Sequence, residues 1–532
     1  GNCVSLSESP MDENTLYVGT DDGLVHVTRD GGASWTKIAT FPGVPEQTYV
    51  SRLEASRHQQ GRVFAAFSNH KNGDFKPYLL VSEDYGATWN SLAGTLPETD
   101  VVWSLAEDHV QPNLLFCGTE YGVYVSLDAG AEWLRMKSGL PTVAVRDIEI
   151  QRRENDLILG TFGRGFYVLD DYTALRELSD KLLQQSAHLF AVRKAPLYIQ
   201  RSRLGLNTGL GTQGSTFFHA PNPDYGAILT MYLRDGFDTL KERREAAQKK
   251  AREDGGSYPF PSDEDVRAED AEEEVAVFVT IKDGSGAVVR RIDVPRKKGM
   301  HRVAWDLRYE KATKIVLGAP GPDSPWSNPD AGPLVLSGAF TATLERETAG
   351  DVAVLAGPVA FEVEALNLAT LPAADRAEVL AFQKQVVELR RAVRASLRVL
   401  GELQSRIDHA RVAIRHSSAD PAILKSVAQH NDELRVLRTK LSGDRSLRRR
   451  SKPAPMSISE RIENIAGAQL YTSSAPTQTE RAAYGFAADA FEPVLARLRS
   501  IATTALPAIE NAVERAGAGD TPGRLPDWRR NK

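Results

Sequence analysis

Hydrophobic and polar residues alternate in short runs along the first 175 residues. Four runs, each followed by a turn or loop and a second apolar run, can be laid over one another: 14–20, 63–67, 113–119 and 155–161. Thr119 and Thr161 are 42 residues apart, and Thr20 and Thr119 are 99 apart, which fits two repeats. Alternation predicts β-strands, and repetition at this period predicts β-propeller blades of four strands each.

A second motif follows three of these runs. Ser/Thr-x-Asp-x-Gly-x-x-Trp occurs at 28–35, 82–89 and 126–133. It predicts a tight hairpin between outer strands: the aspartate accepts backbone N–H bonds, the glycine supplies a positive φ, and the tryptophan fastens the hairpin to its blade. We assign a structural role to Asp30, Gly32, Trp35, Asp84, Gly86, Trp89, Asp128, Gly130 and Trp133.

The middle of the chain predicts a β-sandwich. Residues 176–224 contain a strand and a linker rich in Gly, Asn and Pro, and residues 225–366 contain alternating strands typical of an Ig or fibronectin type III fold. A charged insertion, 237–274, interrupts the sandwich, and its acidic end, 262–274, is expected to be disordered.

The hydrophobic period changes after Pro372. Apolar residues recur every three or four positions, which predicts an α-helical region over 373–516, an antiparallel hairpin or bundle, followed by a tail at 517–532. The apolar stripe is interpreted as a helix–helix core, with a seam for self-association or partner binding as the alternative.

Composition narrows the functional classes. The net charge of −5 over 532 residues gives no case for nucleic-acid binding, and no apolar run is long enough to span a membrane. Two cysteines make no disulfide framework, and no metal-binding motif or phosphate loop is present, so we expect neither metal nor cofactor. The sequence begins Gly1-Asn2-Cys3 without a signal peptide, and we expect further sequence upstream.

The first third resembles bacterial BNR/Asp-box repeat proteins labelled glycosyl hydrolases, of the sortilin (Vps10)-like and xyloglucanase-like group. The segments 75–82 and 160–171 carry the resemblance most strongly. The Ser/Thr-x-Asp-x-Gly-x-x-Trp motif is the Asp box of this group, and the fourth blade departs from the group because residues 170–172 replace its Asp box. The resemblance implies an incomplete propeller with its other blades upstream, a FlgD-like Ig module behind it, and export to the periplasm or the extracellular space.

Candidate binding residues lie in the turns between the second and third strands of the blades. Strand direction alternates, so these turns fall at the blade end opposite the Asp boxes, where propellers usually bind ligands. The candidates are Asp21, Asp22, His70, Asp74, Glu120, Tyr121 and Arg164, and the weaker catalytic candidates among them are Asp22, Asp74 and Glu120.

Two functions from different classes remain open. One is a sortilin-like scaffold that binds a peptide or glycan over the propeller mouth. The other is a xyloglucanase-like glycoside hydrolase, which needs two carboxylates across the sugar, one of them protonated. A carboxylate pair would favour the hydrolase, and an aromatic mouth of mixed charge would favour the scaffold.

Overall fold

The computed structural model describes residues 1–200, 216, 218, 220–258, 260–312, 315, 331–369, 371–528 and 530. The chain is mainly β with an α-helical C-terminal region, which confirms the predicted fold class. It forms two compact units. The first contains Gly1–Ala191, Thr230–Glu272 and Arg296–His301, and the second contains Val192–Leu229, Glu273–Pro295 and Arg302–Lys532. The domain boundaries expected from the sequence stay predictions.

Short strands fill the first part of unit 1. They are β1 (Cys3–Ser9), β2 (Asp12–Thr20), β3 (Val25–Thr28), β4 (Thr36–Ile38), β5 (Tyr49–Ala55), β6 (Val63–Ser68), β7 (Tyr78–Ser82), β8 (Asn90–Ser91), β9 (Val102–Glu107), β10 (Leu115–Thr119), β11 (Gly122–Ser126), β12 (Leu134–Met136), β13 (Val145–Gln151), β14 (Asp156–Thr161) and β15 (Phe166–Leu169).

These strands form consecutive antiparallel meanders, here called blades 1 to 4. Their orders are β1-β2-β3-β4, β5-β6-β7-β8, β9-β10-β11-β12 and β13-β14-β15. The first strands of successive blades lie side by side: the Ser51 hydroxyl donates to the Val102 carbonyl at 3.0 Å, and the Ser104 hydroxyl donates to the Val145 carbonyl at 3.4 Å. This is a β-propeller-type arrangement, with β1, β5, β9 and β13 innermost.

Glycine near the end of the second strand permits this close approach. A Cβ atom on Gly118 would lie 2.6 Å from the carbonyl oxygen of Val145 in the next blade, and one on Gly19 would lie 2.5 Å from a methyl of Val50. The Gly-Thr pairs at 19–20 and 118–119 are therefore places where neighbouring blades touch.

The Ser/Thr-x-Asp-x-Gly-x-x-Trp turns share one hydrogen-bond pattern. In blade 2, Asp84 accepts the backbone N–H of Thr88 at 2.8 Å and the hydroxyl of Ser82 at 2.9 Å, and that hydroxyl accepts the N–H of Gly86 at 2.8 Å. Gly86 has a φ of +87°, which glycine adopts without steric cost. Equivalent bonds occur at the turns of Asp30 and Asp128.

The tryptophans of these turns differ in exposure. Trp89 is 6% exposed, and its ring centroid lies 5.5 Å from that of Phe41, in the segment after blade 1. Trp133 is 5% exposed, and its indole N–H donates to the Leu92 carbonyl, next to the last strand of blade 2, at 3.0 Å. Trp35 of blade 1 is 44% exposed. Each buried tryptophan is thus covered by the preceding blade.

A buried ion pair ties the end of blade 4 to blade 3. The Arg176 guanidinium contacts both oxygens of Asp108, at 2.8 and 2.9 Å, and the Asp108 side chain is fully buried. Arg176 also donates to the side-chain oxygen of Asn155 at 2.8 Å. Arg176 lies in a short 3-10 helix, Thr173–Arg176, in the part of blade 4 where the other blades carry the Ser/Thr-x-Asp-x-Gly-x-x-Trp turn.

The acidic run is helical, contrary to the expected disorder. The elements that follow blade 4 are α1 (Asp180–Leu183), β16 (Ala187–Leu189), β17 (Ala195–Leu197), β18 (Ala227–Leu233), α2 (Leu240–Glu253) and α3 (Asp263–Ala271). Ser262 caps α3 with a capping box, and Arg244 of α2 contacts the largely buried Glu269 of α3 at 2.6 Å. The cap and the ion pair give the charged helices local partners that composition alone does not reveal.

Unit 2 contains a five-stranded sheet. The strands in this part of the chain are β19 (Ala276–Asp283), β20 (Val288–Asp293), β21 (Gly299–Trp305), β22 (Gly338–Thr348) and β23 (Asp351–Ala365). Of these, β21 belongs partly to each unit and lies outside the five-stranded sheet. The sheet order is β17-β23-β22-β19-β20, and all pairs except β17–β23 are antiparallel. The buried Trp305 ring lies 5.2 Å from Phe340 and 6.2 Å from Phe361. The Ig or fibronectin type III identity stays a prediction.

The C-terminal region is helical, as its period predicts. Its helices are α4 (Arg376–Arg415), α5 (Ile423–Ser442), α6 (Arg445–Arg448), α7 (Ile458–Gln469), α8 (Gln478–Ser500) and α9 (Leu506–Arg515), with a π-helical turn at Ile501–Ala505. Stripe residues such as Leu400 and Ile407 are buried against α5, α7, α8 and α9 in one hydrophobic core. Within the described residues, no helix has the length and apolarity needed to cross a bilayer.

We predict that Asp30→Ala, Asp84→Ala and Asp128→Ala lower the melting temperature without specifically abolishing ligand binding. Hydrogen bonds lower the pKa of Asp30 from 3.8 to about 2, and the bond from the Ser34 hydroxyl has the largest effect. A depressed carboxyl pKa contributes stability above the unfolded value, and this is lost as the pH falls through the folded value. The difference in melting temperature between parent and Asp30→Ala should therefore be complete at neutral pH and vanish between about pH 4 and pH 2.

Glu98→Ala, at an exposed position, is the control for this series. A variant that keeps the parental melting temperature but loses its ligand would contradict the structural role.

We also predict that residues 373–516 form helices independently of the blades. Circular dichroism of the isolated segment should show a helical spectrum, and a β-rich spectrum would refute the boundary.

Within this helical segment, Leu434→Ala should lower the free energy of unfolding by about 2–5 kcal/mol, because Leu434 is fully buried. Val436→Ala in the same helix, at a position 56% exposed, should change it by less than about 0.5 kcal/mol.

Candidate binding site at the blade ends

Each blade separates its two kinds of turn. Because β2, β3 and β4 pair antiparallel, the turn with Asp21 and Asp22 and the turn with Asp30 lie at opposite ends of β3. The same holds in blade 3 for Glu120 and Asp128 around β11. The blade ends that carry the second-to-third strand turns are called the mouth here.

Trp103 and Glu120 meet at the mouth of blade 3. Trp103 lies in the innermost strand β9, and Glu120 directly follows β10, which pairs with β9. The Trp103 indole N–H donates to Glu120 Oε2 at 2.8 Å. The pairing of neighbouring strands thus brings together two side chains that are 17 residues apart in the sequence.

Arg146 of blade 4 lies against this pair. Its Cζ is 3.5 Å from the centroid of the Trp103 ring, and its Nη2 is 3.4 Å from Glu120 Oε2. A guanidinium that stacks on an indole and pairs with a carboxylate is held in orientation by both contacts.

Two further rings complete the group. His70 of blade 2 contacts Trp103 edge to face, with centroids 5.2 Å apart, and its Nδ1 is 2.7 Å from the Ser68 hydroxyl. Phe162 of blade 4 has its ring centroid 5.3 Å from Arg146 Cζ and is 70% exposed. We call these five residues, drawn from three blades, the mouth cluster: His70, Trp103, Glu120, Arg146 and Phe162.

Two predicted site residues, His70 and Glu120, belong to the mouth cluster, and Tyr121 lies beside it. The Tyr121 N–H donates to Asp100 at 3.2 Å, and the Tyr121 carbonyl accepts from Arg135 at 2.6 Å, while the Tyr121 ring is 49% exposed. Asp100 is buried, and this burial raises its pKa against the hydrogen bonds that it accepts. Asp100 thus anchors the turn that presents Glu120 and Tyr121.

The two aspartates in the turn of blade 1 are held by hydrogen bonds. Asp21 accepts the backbone N–H of Asn2 at 2.6 Å and Asp22 accepts the hydroxyl of Thr20 at 2.6 Å, and these bonds lower the pKa of both carboxyls. Arg164 lies exposed in the turn before β15.

Asp74 is also bound within its own loop. It accepts the phenol of Tyr78 at 2.6 Å and the side-chain amide of Asn69 at 3.0 Å. Burial works to raise the pKa of Asp74, but these bonds outweigh it and lower that pKa. Asp21, Asp22 and Asp74 therefore favour the ionised form.

A second charged group lies along the innermost strands. Arg52 of β5 contacts Asp147 at 3.1 Å, Glu54 at 3.4 Å and Glu149 at 3.6 Å. Burial raises the pKa of Glu54, and the neighbouring Arg52 opposes this shift. Arg52 is thus surrounded by carboxylates, while Arg146 pairs with Glu120.

Three residues of the mouth cluster are not among the candidates predicted from the sequence. Trp103, Arg146 and Phe162 carry no motif, and the signal that could find them is position at the start of an innermost strand or in a turn equivalent to that of Glu120. Glu54 of the second charged group lies near the other end of its innermost strand, where it pairs with Phe64 at the start of β6. Within the part of the chain that the structure describes, no three His, Cys, Asp or Glu side chains form a group that could hold a metal ion.

Comparison with known proteins gives weak likenesses. No family model and no curated protein matches the chain. YCF48 bound to D1 peptide is 13% identical, with 32% of this chain and 51% of that chain covered and a TM-score of 0.25. The GH74 enzyme of Niastella koreensis is 14% identical, with 32% and 29% covered and a TM-score of 0.26.

A GH74 xyloglucanase from Xanthomonas campestris is also 14% identical, with 30% of this chain and 26% of that chain covered and a TM-score of 0.24. The chain thus spans about half or less of the length of these solved structures. Likenesses at this level assign no ligand or activity to the chain.

Proposed function

We propose that the chain is a binding scaffold that recognises a peptide or glycan over the mouth of its blades. The observation that carries this proposal is the stacking of Arg146 on Trp103 at 3.5 Å, next to the exposed ring of Phe162. The mouth therefore combines aromatic surface with an oriented cation, and both can be used without a reacting carboxylate pair.

The mouth cluster suits a ligand with a polar acceptor next to a flat or apolar group. Arg146 carries five N–H donors in a planar fork, and one of its nitrogens, Nη2, contacts Glu120. Tyr121, in the turn of blade 3, and Phe162, in the turn of blade 4, offer exposed rings. A sugar ring or a peptide side chain could pack on these rings while an oxygen accepts from Arg146.

A glycoside hydrolase is the second candidate, and the observation that favours it is the raised pKa of Glu54. Such an enzyme needs a carboxyl that holds a proton near neutral pH. The lowered pKa values of Asp22 and Asp74 are opposite to that requirement, whereas burial raises the pKa of Glu54. Asp147 or Glu149 would supply the second carboxylate, since both contact Arg52, as Glu54 does.

We predict that Arg146→Ala weakens binding of a peptide or glycan ligand about 10-fold to 100-fold, because one side chain supplies both a stacked cation and a charged hydrogen-bond donor. Binding can be measured by calorimetry with ligands selected on peptide and glycan arrays. Arg153→Ala is the matched control, since Arg153 is 82% exposed and forms an ion pair with the adjacent Glu154. Equal affinities of the two variants would contradict the proposed site.

We predict that Glu120→Gln, Asp22→Asn and Glu54→Gln separate the two functions. Glutamine at 120 keeps an oxygen that can accept from Trp103, so a scaffold should retain most of its affinity. Turnover of a glycan panel by the parent protein, lost in Glu54→Gln or another of these variants while glycan affinity is retained, would establish the hydrolase. Absence of turnover in the parent on every glycan tested would leave the scaffold.

A further inference from the structure

Unit 2 contains a cavity of about 430 Å³. Three segments of the unit line it: residues 197–199 at the end of β17, the connection from β23 to the first residue of α4, and residues 472–474 between α7 and α8. Leu334 also lines the cavity. Sites for small molecules in proteins have volumes of about 300–1,000 Å³, so this cavity is large enough for a small ligand.

Hydrogen bonds hold the connection between β23 and α4 against the other two segments. The Leu366 N–H donates to the Leu197 carbonyl at 3.1 Å. The Ser474 hydroxyl donates to the Leu371 carbonyl at 2.7 Å. The segments that line the cavity are thus fixed to one another, and a ligand would find its site already formed.

Apolar side chains line part of the cavity. Leu197 is 4% exposed, but Leu368 is 73% exposed and Leu371 is 78% exposed. Both of these exposed leucines come from the connection between β23 and α4. Apolar side chains that are exposed beside a cavity favour a ligand that removes them from water.

Arg376, the first residue of α4, brings a positive charge to the cavity. Its Nη2 donates to the side-chain oxygen of Asn367 at 3.2 Å. Glu364, which lines an adjacent open groove with Arg376, pairs instead with Lys194 at 3.3 Å. Within the described parts of the chain, the Arg376 guanidinium forms no ion pair. It therefore keeps N–H donors for a charged acceptor.

The lining selects the charge of the ligand. Arg376 is the one charged residue among the described residues that line the cavity. A single guanidinium fork matches one carboxylate, which can accept two parallel hydrogen bonds from it. A cationic ligand would be repelled, and a neutral one would leave the guanidinium without an ionic partner.

We propose that this cavity binds a small amphipathic carboxylate, whose carboxylate group accepts from Arg376 while its apolar part covers Leu368 and Leu371. The charged hydrogen bonds provide selectivity, and the leucines contribute affinity in proportion to the apolar area that the ligand covers. The proposal concerns unit 2 and does not depend on the ligand of the mouth.

The test is isothermal titration calorimetry of the 532-residue chain with two probes, octanoate and hydrocinnamate. We expect at least one of them to bind, and the corresponding alcohol, octanol or hydrocinnamyl alcohol, to bind at least about 10-fold more weakly. Arg376→Gln should weaken carboxylate binding by about 10-fold or more and remove the preference over the alcohol, because glutamine carries no charge. Leu371→Asp should weaken it too, since the new carboxylate repels that of the ligand at a position exposed enough to leave the fold intact.

Arg391→Gln in the same helix is the matched control, because Arg391 is 61% exposed and pairs with Glu388. It should leave the affinity unchanged, and every variant is checked for a parental circular dichroism spectrum. Failure of both carboxylates to bind at millimolar concentrations would overturn the proposal. An alcohol that binds as tightly as its carboxylate, or carboxylate binding that Arg376→Gln leaves unchanged, would overturn it too.

Discussion

Burial of each blade's apolar face against its neighbour is the interaction on which the rest of the first unit depends. A meander of three or four short strands has two faces and little core of its own, so its stability comes from the blades on either side. The glycines at positions 19 and 118 permit the approach, and hydroxyls such as that of Ser104 satisfy backbone groups between the innermost strands. The buried Arg176–Asp108 pair then ties the end of blade 4 to blade 3.

This packing also creates the candidate site. Trp103 comes from blade 3 and Arg146 from blade 4, and they stack because the strands β9 and β13 lie side by side. Glu120 accepts from one and pairs with the other, so the position of the guanidinium depends on the junction as much as on its own turn. A rigid junction with variable turns is how a repeat scaffold gains a specific ligand without a change of fold.

The blades could be predicted from the sequence because their signals are local. Gly-Thr at the strand ends and Asp at the hairpins can each be recognised from a few consecutive residues, and the structure shows close approach of neighbouring blades at the glycines and hydrogen bonds at the hairpins. The contact of Arg146 with Trp103 could not be predicted, because it joins residues of different blades that share no motif. Two of the seven site residues predicted from the sequence, His70 and Glu120, belong to the mouth cluster, whereas Asp22 and Asp74 are bound in their own turns.

The helical parts show the same division. The long stripe in α4 is periodic and could be predicted, and the capping box of Ser457 and Glu460, which precedes the apolar positions of α7, is a signal for the start of that helix. The acidic run was assigned to disorder because charge composition does not show the Arg244–Glu269 pair, which joins residues in two helices.

Hydrogen–deuterium exchange of the chain with and without a bound peptide or glycan, selected on arrays, tests the mouth as the binding site most directly. We expect the ligand to protect backbone amides at the starts of β9 and β13 and in the turns of Glu120 and Phe162, while the hairpins of Asp84 and Asp128 exchange as before. Protection confined to those hairpins, or to the second unit, would contradict binding at the mouth.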